Sequence, residues 1–217
     1  MTDLPAYQLI RSSRRTLSIC VDREGALVVR APLRMAVRDI EAFIDQKRDW
    51  IIRKQTQARA HERFVMEDGA RLPWLEGFLT IRLAEVRRAV LQDGCLLLPS
   101  EQPAQAAIKW RKKRAEEVLL PRVEYWAGVT GLHPSSVAFT NARRRWGSMN
   151  SQGSLRLNAA LLHCPAICRD YVIVHELCHL LHPDHSPAFH MRVRSFLPEA
   201  DAVRIQMKAL GDLTEIL

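Results

Sequence analysis

The chain has 217 residues, 47% hydrophobic and 26% charged, with nine Gly and eleven Pro. That composition supplies an ordinary globular core and excludes disorder, fibrous repeats or low-complexity sequence as the main state. Apolar runs such as Tyr171–Val174 and Leu96–Leu98 fall far short of the roughly 20 residues that cross a bilayer, and 32 Lys and Arg against 24 Asp and Glu leave a net charge of +8.

The opening residues Met1-Thr2-Asp3-Leu4-Pro5 lack the basic region, apolar stretch and small-residue cleavage site of a secretory signal. A cytoplasmic protein with no membrane association is the expectation. Five cysteines, an odd number, suit a reducing compartment in which all stay as thiols.

In chain order, Leu17, Ile19 and Val21 alternate with polar residues, Arg23-Glu24-Gly25 offers a turn, and Leu27-Val28-Val29 follows, which reads as a hairpin. From Asp39, Ile40, Phe43, Ile44 and Ile51 recur at helical spacing, predicting one helix to about Ala60. Leu79-Ile81-Leu83 and the pair Val90-Leu91 and Leu96-Leu98 about the Asp93-Gly94 turn predict a small meander. After Pro99 and Pro103 the pattern turns helical: Ala104, Ile108, Ala115, Leu119 and Trp126 share one side, with Lys109, Lys112, Lys113, Glu116 and Glu117 on another. Strands are expected at Val137-Ala138-Phe139, from Arg144 to Met149, and at Ser154–Leu157 after the Ser151-Gln152-Gly153 turn. A helix then starts near Pro165 and stops at Pro183.

The chemistry concentrates in that last helix, where residues 175–179 read His-Glu-Leu-Cys-His. Positions four apart share a helix face, so His175 and His179 can present imidazole nitrogens to one Zn²⁺ with Glu176 beside them. A catalytic zinc takes three protein ligands and keeps an open position for water. His185 lies beyond the break at Pro183-Asp184, where the chain can reverse and return a third imidazole. His182 on the last turn and Glu199 from a later helix are the other third-ligand candidates. Cys178 points about 60° away from His175 by helical geometry and reads as core, whereas Cys164 and Cys168 form at most an isolated pair.

The basic residues cluster upstream of the motif: residues 101–150 hold nine Lys and Arg against four acids, residues 151–217 six against seven. Such a run is a solvated helix face or a surface for nucleotides or nucleic acid over residues 109–145. Arg143-Arg144-Arg145 in particular suits phosphate oxygens. Three functional classes follow: a zinc peptidase acting on peptide or unfolded protein, a metal-dependent nucleotide or phosphate-ester hydrolase, and a DNA-associated protease-like module.

Beyond this reading, the sequence resembles the YgjP-like HExxH metallopeptidase domains, related at the motif level to SprT-like and WLM proteases. The resemblance runs through Arg144-Arg145-Trp146-Gly147-Ser148, Leu155-Arg156-Leu157-Asn158, Asp170-Tyr171-Val172, His175-Glu176-Leu177 with His179, and His185-Ser186 with Phe189. It implies an α+β, zincin-like metallopeptidase domain (a small sheet plus the active-site helix) over about 101–217, preceded by a β-rich part with one helix over 1–100. It also implies His175, His179 and His185 as zinc ligands, Glu176 as catalytic acid/base, and Arg145, Trp146, Gly147 and Ser148 on a substrate-binding strand near the cleft. Met149 stands where the family favours Cys. No Tyr or His announces itself as an oxyanion partner, leaving Asn141 and Arg145 as candidates.

Overall fold

In a computed structural model the described residues are 4–22, 25–60, 65–142 and 145–210. The expected turn at Arg23-Glu24 and the arginines Arg143 and Arg144 lie outside them. The chain divides into two compact units, Met1–Arg63 and Phe64–Leu217.

In the first unit β1 (Tyr7–Ser12), β2 (Ser18–Val21) and β3 (Leu27–Pro32) form a sheet in the order β1-β3-β2. The predicted hairpin is the antiparallel β2–β3 pair, with Ile19 opposite Val29, and β1 joins β3 in parallel. Two helices follow, α1 (Val37–Gln46) and α2 (Arg48–Ala60), where periodicity alone predicted one. The break at Lys47 carries neither Gly nor Pro, so no punctuation marks it. Ile40, Ile44 and Ile51 nevertheless keep their common buried side and pack with Leu27, Val29 and Ala31.

The second unit begins with β4 (Arg71–Trp74), β5 (Gly77–Ala84), β6 (Val90–Gln92) and β7 (Cys95–Pro99), ordered β4-β5-β7-β6. Asp93 and Gly94, at φ 49° and 73°, make the β6–β7 turn. Both positive values match the type I′ turn that an Asp-Gly pair favours. The 28-residue helix α3 (Pro103–Thr130) follows, then β8 (Ser136–Thr140), β9 (Gly147–Met149) and β10 (Ser154–Asn158), ordered β8-β10-β9. A 3-10 turn (Ala159–His163) leads into α4 (Ala166–Cys178), α5 (Pro187–Phe196) and α6 (Ala200–Ala209). The architecture is α+β, with small sheets and a buried helix carrying the motif, as a zincin-like domain requires.

The structural division at 63/64 differs from the one near residue 100 read from the sequence. Leu72, Trp74, Ile81, Leu96 and Leu98 of the β4–β7 sheet share one apolar cluster with Leu119, Leu157 and Val174, so the meander belongs to the C-terminal core. No described helix is long and apolar enough to cross a membrane.

Helix α4 is buried on nearly every side, including three charged residues. Each has a partner, as a buried charge requires. Asp170 accepts a fork from Arg122 at 2.5 and 2.6 Å, while Arg169 donates to the Cys164 carbonyl at 2.6 Å and pairs with Glu76. These contacts tie the motif helix to α3 and to the β4–β5 turn.

Arg111 on α3 is fully buried and forms no ion pair among the described residues. It donates to Asn141 Oδ1 at 2.8 Å and faces His163 Nε2 at 3.4 Å, while His163 Nδ1 lies 2.7 Å from the Pro73 carbonyl. A carbonyl only accepts, so His163 is neutral with its proton on Nδ1.

Burial, and then the nearby Arg111 charge, hold His163 down at about 4 against an ordinary 6.5. The unfolded chain therefore takes up this proton first as pH falls. Stability present above pH 6.5 is lost progressively toward pH 4, by about 3 kcal/mol for a shift of this size. His163→Gln should lose correspondingly less between pH 7.5 and 4 in urea unfolding, and equal losses in both proteins would remove His163 as the acid-sensitive group.

Candidate metal centre and catalytic cleft

Helix α4 ends at Cys178 and His179 follows as its C-cap, still in right-handed helical conformation. His179 therefore keeps the one-turn relation to His175 that the spacing predicted. The chain leaves the helix before Pro183, which had been expected to stop it.

The return of His185 is built locally. The Ser186 amide donates to Asp184 Oδ1 at 3.2 Å, and Ser186 Oγ caps α5 by accepting from the Phe189 amide at 3.4 Å. This capped turn brings His185 Nε2 to 3.1 Å from His175 Nε2. One nitrogen from each of His175, His179 and His185 lies within 4.8 Å of the others. Fully buried Phe189 backs all three rings, with centroids at 4.8, 4.5 and 4.9 Å.

This donor set fits a metal ion. Burial, then the neighbouring imidazoles, push His175 down to about 3, and burial first of all lowers His179, so both favour the neutral form a ligand needs. Two neutral Nε2 lone pairs facing each other at 3.1 Å repel unless a proton or cation lies between them. His179 Nδ1 donates to the His182 carbonyl at 2.9 Å, which leaves Nε2 as its free lone pair. The buried Nδ1 of His175 has no partner among the described residues.

His182 thus enters the site through its backbone carbonyl. Glu199 stands at the N-cap position of α6 without a side-chain capping bond and is not in the histidine group. Cys178 is core, its thiol pushed up to about 11 by burial; Cys164 and Cys168 are also buried, their thiols likewise raised.

Glu176 is 7% exposed and faces β9. Burial pushes its carboxyl up to about 7, opposed by the Met149 backbone amide and the Arg145 charge. A Cβ added to Gly147 would sit 2.7 Å from Glu176 Cγ and Oε1, so glycine is what lets the strand approach the carboxylate.

The predicted strand from Arg144 is shorter than expected, Gly147–Met149, because Arg145 and Trp146 are held in a loop instead. Asn158, 1% exposed, donates through Nδ2 to the carbonyls of Ala142 and Arg145 at 2.6 and 3.0 Å, and its amide donates to the Trp146 carbonyl at 2.7 Å. Arg145 is exposed, Trp146 packs half-buried on the core, and Ser148 pairs with Arg156. Strand β9 is an edge of its sheet. Asn141 is engaged by Arg111, which weakens its candidacy as an oxyanion partner.

Several participants escaped the sequence reading. The Met149 amide and His182 carbonyl are backbone groups that carry no residue-type signal, and Phe189 appeared only as part of a resemblance. Buried Arg111 sits amid Lys109, Lys112, Lys113 and Arg114 and reads as one more surface cation.

A helical His-Glu-x-x-His pair completed by a third histidine is a pattern that metal-dependent hydrolases use. The chain belongs to the YgjP-like family, metallopeptidase domain, whose sequence profile matches residues 15–210. No curated protein matches it. Two similar solved structures are the metallopeptidase zymogens abylysin of Pyrococcus abyssi and jannalysin of Methanocaldococcus jannaschii, at 23% and 18% identity, each with TM-score 0.38 over 42% of this chain and 94% of the other.

Proposed function

We propose that the protein is a zinc-dependent peptidase in which His175, His179 and His185 hold the metal and Glu176 is the general base. The observation that carries this reading is the convergence of three imidazole nitrogens within 4.8 Å, beside a buried glutamate, in a metallopeptidase family. Imidazole ligands suit Zn²⁺.

Zinc, when bound, acidifies a water and polarises the scissile carbonyl. Glu176 accepts the proton of the attacking water on its carboxylate and passes it to the leaving amine nitrogen. The Met149 amide on β9 favours the charged carboxylate, and the closeness of Gly147 leaves it little room to swing. Strand β9 is an edge, where an extended peptide would bind as an added strand beside Arg145, Trp146, Gly147 and Ser148. Arg145, exposed at the start of this segment, is the remaining candidate for the oxyanion. Unfolded protein is the matching substrate class, because a strand-adding site needs extended chain.

Equilibrium dialysis tests the ligand set. The protein should bind one zinc, and His185→Ala should weaken binding by more than the roughly 10–100-fold that loss of a supporting hydrogen bond costs. Peptide cleavage should disappear with a chelator and return with zinc. Unchanged zinc affinity in His185→Ala, or cleavage indifferent to chelation, would overturn the assignment.

A further inference from the structure

The second unit carries a groove of about 1070 Å³, lined by the turn after β5 (84–90), the segment 99–102 and the first half of α3, and sharing no residue with the histidine site. Arg87 and Arg88 face it from the turn and Lys109, Lys113 and Arg114 from the helix. Arg114 pairs with Glu117, but Arg87, Arg88, Lys109 and Lys113 are exposed and form no ion pair among the described residues. Glu85 and Glu101 are the remaining acids on the lining, so unpaired cations outnumber unpaired anions two to one.

This arrangement costs the protein stability on its own. Lys109 and Lys113 stand four apart on one helix, where like charges repel, and two adjacent arginines face them. Trp110 supplies a half-buried aromatic wall, braced on Trp74 with ring centroids 4.6 Å apart. Exposed cations contributed by both the turn and the helix, with an aromatic ring on the same lining, form the combination that holds a single-stranded phosphodiester backbone, the phosphates neutralised and a base laid on the ring. A duplex keeps its bases stacked inside and cannot lay one on Trp110, so single strand is the form this groove selects.

We infer that this groove is a binding site for single-stranded nucleic acid, separate from the metal centre. Fluorescence anisotropy of a short labelled oligothymidylate with the full chain tests it. Four contacted phosphates predict binding weakened by roughly 50-fold between 50 and 200 mM salt, from about 0.7 counterion released per contact. Arg87→Ala with Arg88→Ala, and Lys109→Ala with Lys113→Ala, should each weaken binding by roughly tenfold and lower the salt slope by about 1.4. Lys112→Ala with Lys208→Ala removes the same charge outside the groove and should change affinity less than about twofold.

Thermal unfolding of each variant at the wild-type temperature keeps the comparison to binding. The inference is overturned if the control pair weakens binding as much as the groove pairs, if duplex binds as tightly as single strand, if inorganic triphosphate displaces the strand at equal concentration, or if no binding appears at low salt. None of these outcomes depends on peptidase activity.

Discussion

Glu176→Gln should lower kcat/KM for peptide cleavage by about 10²–10⁴-fold while zinc binding stays at the wild-type level. The amide has the shape of the carboxylate, and its oxygen can still face the Met149 amide on β9, so the fold and the edge strand stay in place. Only the capacity to take a proton is removed. A Glu176→Asp variant keeps that capacity but shortens the reach, and its activity should fall between the two. Steady-state kinetics with parallel zinc analysis separate chemistry from metal loss, and full turnover by Glu176→Gln would end the general-base assignment.

Gly147→Ala is expected to cost about 100-fold in kcat with a smaller effect on KM. The added methyl meets Glu176 Cγ and Oε1 at 2.7 Å and Cδ at 2.9 Å, well inside van der Waals contact, and on the Glu176 side the groups that must yield belong to the proposed base. Displacing a catalytic group by about 1 Å costs on this order. Because β9 remains paired to β10 through Met149 opposite Leu155 and Ser148 opposite Arg156, the fold should survive. Zinc affinity should also survive, since no histidine of the triad appears among the nearest atoms to that methyl. Wild-type kcat in Gly147→Ala would show that Glu176 does not need its position against β9.

The histidine cluster was legible because its signal is local. A His pair four apart on an apolar helix and a histidine after a Pro break are written in residue types, and the structure brings all three together. The Asp93-Gly94 turn was legible for the same reason, as its residues tolerate positive φ. The β4–β5 hairpin was not. Its turn is Leu75-Glu76, with Leu75 at φ 51° and no glycine, held from outside by a hydrogen bond from the Leu75 amide to the Leu162 carbonyl at 2.7 Å. A turn imposed by a tertiary contact leaves no composition signal. The α1–α2 break at Lys47 and the parallel pairing of β1 with β3 are hidden likewise, since backbone geometry and long-range partners decide them. The division of the chain followed packing and not the run of strands and helices, which is why the meander of 71–99 joined the C-terminal core.

We propose that this histidine site cuts peptide bonds by means of Glu176. The most direct test is mass spectrometry of an unfolded protein mixture, with nucleoside triphosphates present, incubated with the zinc-loaded protein and, in parallel, with Glu176→Gln. New peptide termini from the wild type alone are the predicted result. Termini produced equally by both proteins, or released phosphate with no new termini, would contradict it.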